Sequence, residues 1–159
     1  MKRISIIVLG ATLMLLGAAV SRAEPAEEVG KRVLEQYRKV QVALAGDSIE
    51  GVREAAAQIA DIVKPCDCTL EESAASEALV DAARGMQGAD LPTLREQLKP
   101  LSRAMPAYLK VTGVDSAQLY FCPMVKAYWL QPKEEHAVRN PYYGKAMSSC
   151  GVKAEGLAD

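Results

Sequence analysis

Four successive stretches of this 159-residue chain repeat apolar side chains at intervals of three and four, which confines it to packed amphipathic helices. The first runs from Glu27 to Ala45, with Val29, Val33, Tyr37, Val40 and Leu44 on one face, Leu34 widening it and Gly46 ending it. Asp47 and Glu50 stand at capping-box spacing and predict a second start, whose stripe is Ile49, Val52, Ala56, Ile59 and Val63 before Pro65. Thr69 and Glu72 repeat the spacing ahead of Ala75, Leu79, Ala82 and Met86. Asp90 and Pro92 open a fourth stripe, Leu94, Leu98, Leu101, Met105 and Leu109. Pro100 and Pro106 lie inside it, and each removes a backbone donor, so a kink or two stacked pieces is expected there. Short connections between such segments predict an up-down four-helix bundle in an all-α domain.

The N-terminus reads as an export signal: basic Met1-Lys2-Arg3, an apolar run from Ile4 to Val20, then Ser21-Arg22-Ala23 with small residues where a signal peptidase cuts. The expected organisation is a signal peptide over 1–23 and one helical domain over 24–159. The mature protein is expected in the periplasm, with no membrane association after cleavage. Losing Lys2, Arg3 and Arg22 from 19 basic residues leaves 16 against 20 acidic ones, a balance with no electrostatic case for nucleic acid as a partner.

Beyond Gly113 the helical period stops. Leu119 to Cys122 and Ala127 to Leu130 read as short extended segments, Asn140-Pro141 to Gly144 as turn chemistry, and Lys145 to Cys150 as one or two helical turns. This C-terminal extension of the bundle carries two sulfur pairs, Cys122 with Met124 and Met147 with Cys150. An extended backbone would place the first pair on one side, and a helical one would place the second pair on one face. Thiolate with thioether is the ligand set that favours Cu(I), because a soft d¹⁰ cation prefers polarizable sulfur.

The candidate metal ligands are therefore Cys122, Met124, Met147 and Cys150, with Cu(I) as the cargo. The competing reading is a Cys122–Cys150 disulfide stapling a non-metal structural or interaction bundle, since an exporting compartment is oxidising. Trp129 reads as a core residue or as a π-face cover on a cation. His136, between charged neighbours, reads as a surface residue. Cys66 and Cys68, after Pro65, admit a second thiolate site, disulfide partners or reactive thiols. One histidine and no nucleophile with a base beside it argue against an enzyme.

The C-terminal segment resembles a bacterial family known only as a domain of unknown function, number thirty-three-forty-seven, found as small exported proteins and fused to CusB-like copper/silver efflux adaptors. The resemblance is carried by Phe121, Cys122, Pro123 and Met124, by Trp129 and Leu130, by Val138, Arg139, Asn140, Pro141 and Tyr142, and by Gly144, Met147, Cys150 and Gly151. Cys66, Cys68, Pro100 and Pro106 depart from the pattern. The resemblance implies a helical periplasmic domain associated with copper handling, with Cys122, Met124, Met147 and Cys150 as ligands and an efflux adaptor as partner.

Overall fold

In a computed structural model of the chain, residues 24–63 and 69–155 are described. The expected signal peptide, Pro65, Cys66 and Cys68 fall outside them. Across the described residues run α1 (Ala26–Ala45), α2 (Val52–Ile62), α3 (Leu70–Arg84), α4 (Leu91–Thr112), β1 (Ala117–Cys122), β2 (Ala127–Pro132), a 3₁₀ turn (Gly144–Ala146) and β3 (Val152–Lys153). Each helix packs on the next, and α4 returns against α1, so the four close into a bundle. Most of the predicted stripe residues form its core: Val33, Tyr37, Val40 and Leu44 meet Val52, Ala56, Ile59, Leu79, Met86, Leu94, Leu98, Leu101 and Met105, whereas Ile49 is exposed ahead of α2 and Val29 is only partly buried. No helix among the described residues is long and apolar enough to cross a membrane.

The helix starts show which local signals act locally. Thr69 and Glu72 form the predicted reciprocal capping box, and the Asp90 carboxylate accepts from the Thr93 amide with proline in the first turn. Both satisfy amides that have no partner within the helix. The Asp47–Glu50 pair does not cap α2, which begins after Gly51 in a left-handed conformation with no side-chain cap. Asp47 itself has φ 61° and turns its carboxylate to Arg95 instead. Pro100 and Pro106 do not divide α4 into two pieces; one helix runs through both, carried by the buried face from Leu94 to Leu109.

The all-α expectation is overturned by a three-stranded antiparallel sheet in the order β2-β1-β3, with β1 central. Its hairpin pairs Leu119 with Leu130, Tyr120 with Trp129, Phe121 with Tyr128 and Cys122 with Ala127. Aromatic pairs across the strands are the physical reason the segment is a sheet: Tyr120 stacks on Trp129 at 5.4 Å and Phe121 meets Tyr128 at 4.8 Å. β3 adds two residues, Val152 opposite Phe121 and Lys153 opposite Tyr120. The helix expected over Lys145 to Cys150 shrinks to the single 3₁₀ turn, because the following chain swings into β3.

The free edge of β2 is closed by tyrosine hydroxyls from outside the sheet. The Leu130 amide donates to the Tyr37 hydroxyl (3.2 Å), and the Tyr142 hydroxyl donates to the Tyr128 carbonyl (2.5 Å). Both hydroxyls also meet the buried Ser102 hydroxyl, at 2.7 and 3.3 Å. Burial pushes the Tyr37 phenol up to about 12 and the Tyr142 phenol up as well, so both stay neutral donors at ordinary pH. This network fixes the sheet on α1 and α4 and removes an edge that another strand could extend.

Candidate metal centre

Cys122 is the last residue of β1, and side-chain alternation puts it on the same face as Tyr120 and Trp129. The chain then reverses through Pro123-Met124-Val125-Lys126, with Lys126 at φ 52°. The Cys122 thiol is fully buried at the foot of this turn. Burial opposes its ionisation. The backbone N–H of Val125, the Cys150 thiol, the N–H of Met124 and the Asn140 amide outweigh that opposition and hold its pKa below that of an ordinary cysteine. These influences shift the Cys122 thiol toward its thiolate, the form that binds metal or attacks a disulfide.

Cys150 arrives from the other end of the segment. Its Sγ lies 3.2 Å from that of Cys122, across 28 residues of sequence, and both cysteines are free thiols. The Cys150 pKa is raised, chiefly because its thiol donates to Cys122, then by burial and by the charge of its neighbour. Cys122 is buried and Cys150 partly exposed, so Cys150 is the outer sulfur of the pair.

Three devices bring Cys150 to this position. Asn140, fully buried, donates from Nδ2 to the Cys150 carbonyl (2.6 Å) and accepts at Oδ1 from the amides of Tyr142 (2.8 Å) and Tyr143 (3.3 Å). Its own amide donates to the Ser148 carbonyl (2.8 Å). Gly151 lies against the benzo edge of Trp129 so closely that a Cβ there would collide with the ring. Arg95 anchors the other side, donating to the carbonyls of Pro141 (2.8 Å) and Leu44 (2.9 Å) and pairing with Asp47 at 2.6 Å. Asp47 also accepts from the Lys145 amide (3.2 Å), and the Arg95 hydrogen bond holds its carboxyl below the usual range. Gly144, at φ 56°, passes where any Cβ would strike that ion pair.

The structure brings together two of the four predicted sulfur ligands. Met124 lies in the hairpin turn rather than in an extended strand, and it is 64% exposed while Cys122 is buried. Met147 follows the 3₁₀ turn and is 38% exposed. It is joined to Cys150 by a backbone turn, the Cys150 amide donating to the Met147 carbonyl at 3.1 Å, rather than by a shared helical face. Trp129 is a fully buried core residue that seats Gly151 and donates from Nε1 to Gln131 Oε1 (2.9 Å). His136 is exposed on the surface. Among the described residues no group of three or more His, Cys, Asp or Glu side chains converges.

From the sequence Asn140 reads as a turn residue and as part of the family resemblance; its hold on the Cys150 carbonyl appears only in the structure. The signal for the turn was present, since Asn before Pro-Tyr-Tyr is placed to fold its amide back on the following N–H groups. Asn140→Ala is expected to destabilise the fold by roughly 2–4 kcal/mol, because it strands a buried carbonyl and two amides. Urea unfolding monitored by Trp129 fluorescence measures this, and a loss below about 0.5 kcal/mol would show that water replaces the amide.

No family model matches the chain, and neither does any curated protein or solved structure compared with it.

Proposed function

We propose that the protein binds Cu(I) in the periplasm through the thiolates of Cys122 and Cys150, sequestering the ion or delivering it to an efflux adaptor. The observation that supports this most is the 3.2 Å approach of two free thiols, one buried in a turn that favours its thiolate. At a metal–sulfur distance of about 2.3 Å, as for zinc thiolates, two sulfurs sharing an ion stand up to about 4.6 Å apart. An opening of up to about 1.4 Å from the present 3.2 Å therefore admits the ion. Met147 and Met124 supply thioethers from exposed, unbranched side chains that reorient at little cost, which suits an exchangeable site. The compartment and the adaptor rest on the export signal and on the family resemblance.

Anaerobic titration of reduced protein with Cu(I), followed by sulfur-edge absorption, is expected to reach one equivalent with both thiolate and thioether signatures. No saturable binding would remove the assignment; thiolate signatures alone would remove Met124 and Met147 from it.

The same sulfur approach favours a second reading, a permanent Cys122–Cys150 bridge stapling an interaction module. Such a bridge would contribute roughly 3–4 kcal/mol by closing its loop. Reductant would then lower the melting temperature without creating a copper site.

A further inference from the structure

We propose that Cys122 and Cys150 form a reversible dithiol/disulfide couple with fixed roles, in which Cys150 exchanges with disulfides of partner molecules and Cys122 resolves the mixed disulfide. The couple is a second activity of the same sulfurs and operates without metal. Its basis is geometric. Cys150 is the partly exposed member, on a turn between the 3₁₀ segment and β3, whereas Cys122 is fully buried beneath it at 3.2 Å. An incoming disulfide can reach one sulfur and not the other.

The exchange balances with a partner disulfide as oxidant. Cys150 passes its proton to the Cys122 thiolate 3.2 Å away and attacks one partner sulfur. The Cys150–partner bond forms and the first partner thiolate is expelled, taking that proton from Cys122. The Cys122 thiolate then attacks Cys150 Sγ, breaking that bond and expelling the second. Two electrons and the one proton shared by the pair leave the protein, the second partner thiolate takes its proton from solvent, and the partner is reduced to a dithiol. The sulfurs need to close from 3.2 Å to about 2.05 Å. The chain on either side of Cys150 is held: Asn140 grips its carbonyl and Gly151 rests on Trp129. The resolving step therefore requires a local adjustment of the turn rather than an unfolding. The bridge removes both thiolates, so partner redox state would also decide whether a soft ion can be held; that consequence rests on the copper reading, whereas the couple does not.

The test uses metal-free reduced full-length protein with a chelator present and oxidised glutathione as the probe disulfide. Peptide mapping by mass spectrometry separates bridges of Cys122 and Cys150 from any that involve Cys66 or Cys68. Wild type is expected to give the Cys122–Cys150 bridge, with an acid-quenched glutathione adduct on Cys150 only. Cys122→Ser should accumulate a stable adduct on Cys150. Cys150→Ser should acquire one on Cys122 at least about tenfold more slowly, as its thiol is inaccessible. Equal rates in the two variants, an early adduct on Cys122 in wild type, or a persistent wild-type adduct without the bridge would each overturn the proposal. The wild-type quench needs no variant to fold, and none of these outcomes depends on copper binding.

Discussion

Trp129→Ala is expected to destabilise the protein by about 3–5 kcal/mol, the range for deleting a large buried aromatic. The indole is fully buried, stacks on Tyr120 at 5.4 Å, meets Tyr142 in a T-shaped contact at 6.3 Å and supports Gly151. Its removal leaves a cavity where β1, β2 and the C-terminal loop meet. The polar loss is smaller, because Gln131 Oε1 keeps its second donor, the Arg139 amide at 2.8 Å. Trp129→Phe should therefore recover most of the difference. Chemical denaturation followed by circular dichroism measures both variants. The loss should reach the sulfur pair as well: without its seat, Gly151 is no longer pinned, and Cys122–Cys150 bridge formation should slow in the alanine variant. A cost under 1 kcal/mol for the alanine variant would mean that the ring is not what packs the loop on the sheet.

Apolar spacing revealed the bundle because a helical stripe is a local property: Val33, Tyr37, Val40 and Leu44 face inward whatever surrounds them. Caps were legible where the partner is three residues away, as at Thr69 and Asp90. The same pattern misled at Asp47, whose carboxylate is claimed by Arg95, 48 residues distant, and by the Lys145 amide. The hairpin strands showed as extended segments, but β3 is two residues long and exists through pairing with β1, which no local pattern encodes. The site divides in the same way. Cys122 and Cys150 are legible in the sequence from residue type, from the methionine near each and from the family resemblance. Their meeting depends on Asn140, on the seating of Gly151 against Trp129 and on the Arg95–Asp47 clamp, contacts between segments rather than within one local pattern. The Met ligands were assigned by extending a strand past Cys122 and a helix past Ala146, and the chain turns at both places.

The double variant Cys122→Ser, Cys150→Ser is expected to lose Cu(I) affinity by on the order of 10³–10⁴-fold or more. Removing even an outer-shell partner costs roughly 10–100-fold at metal sites, and under the proposed copper binding each substitution would remove a ligand outright. A hydroxyl is also a hard donor that a soft d¹⁰ ion binds poorly. The fold should tolerate the change. Serine is close in volume to cysteine, and its hydroxyl can both donate and accept hydrogen bonds where the thiol does. A competition assay against a Cu(I) chelator reads the affinity, with thermal melting of the metal-free variant beside it as the control. The single variants locate the site further. If Cys122 and Cys150 hold one ion together, either substitution alone removes most of the affinity and the second adds little, because a half-occupied pair is no longer chelating. Independent, multiplicative losses would instead place the two sulfurs on different ions. Unchanged affinity in the double variant would move the copper site elsewhere in the chain and leave the pair with its thiol–disulfide chemistry alone.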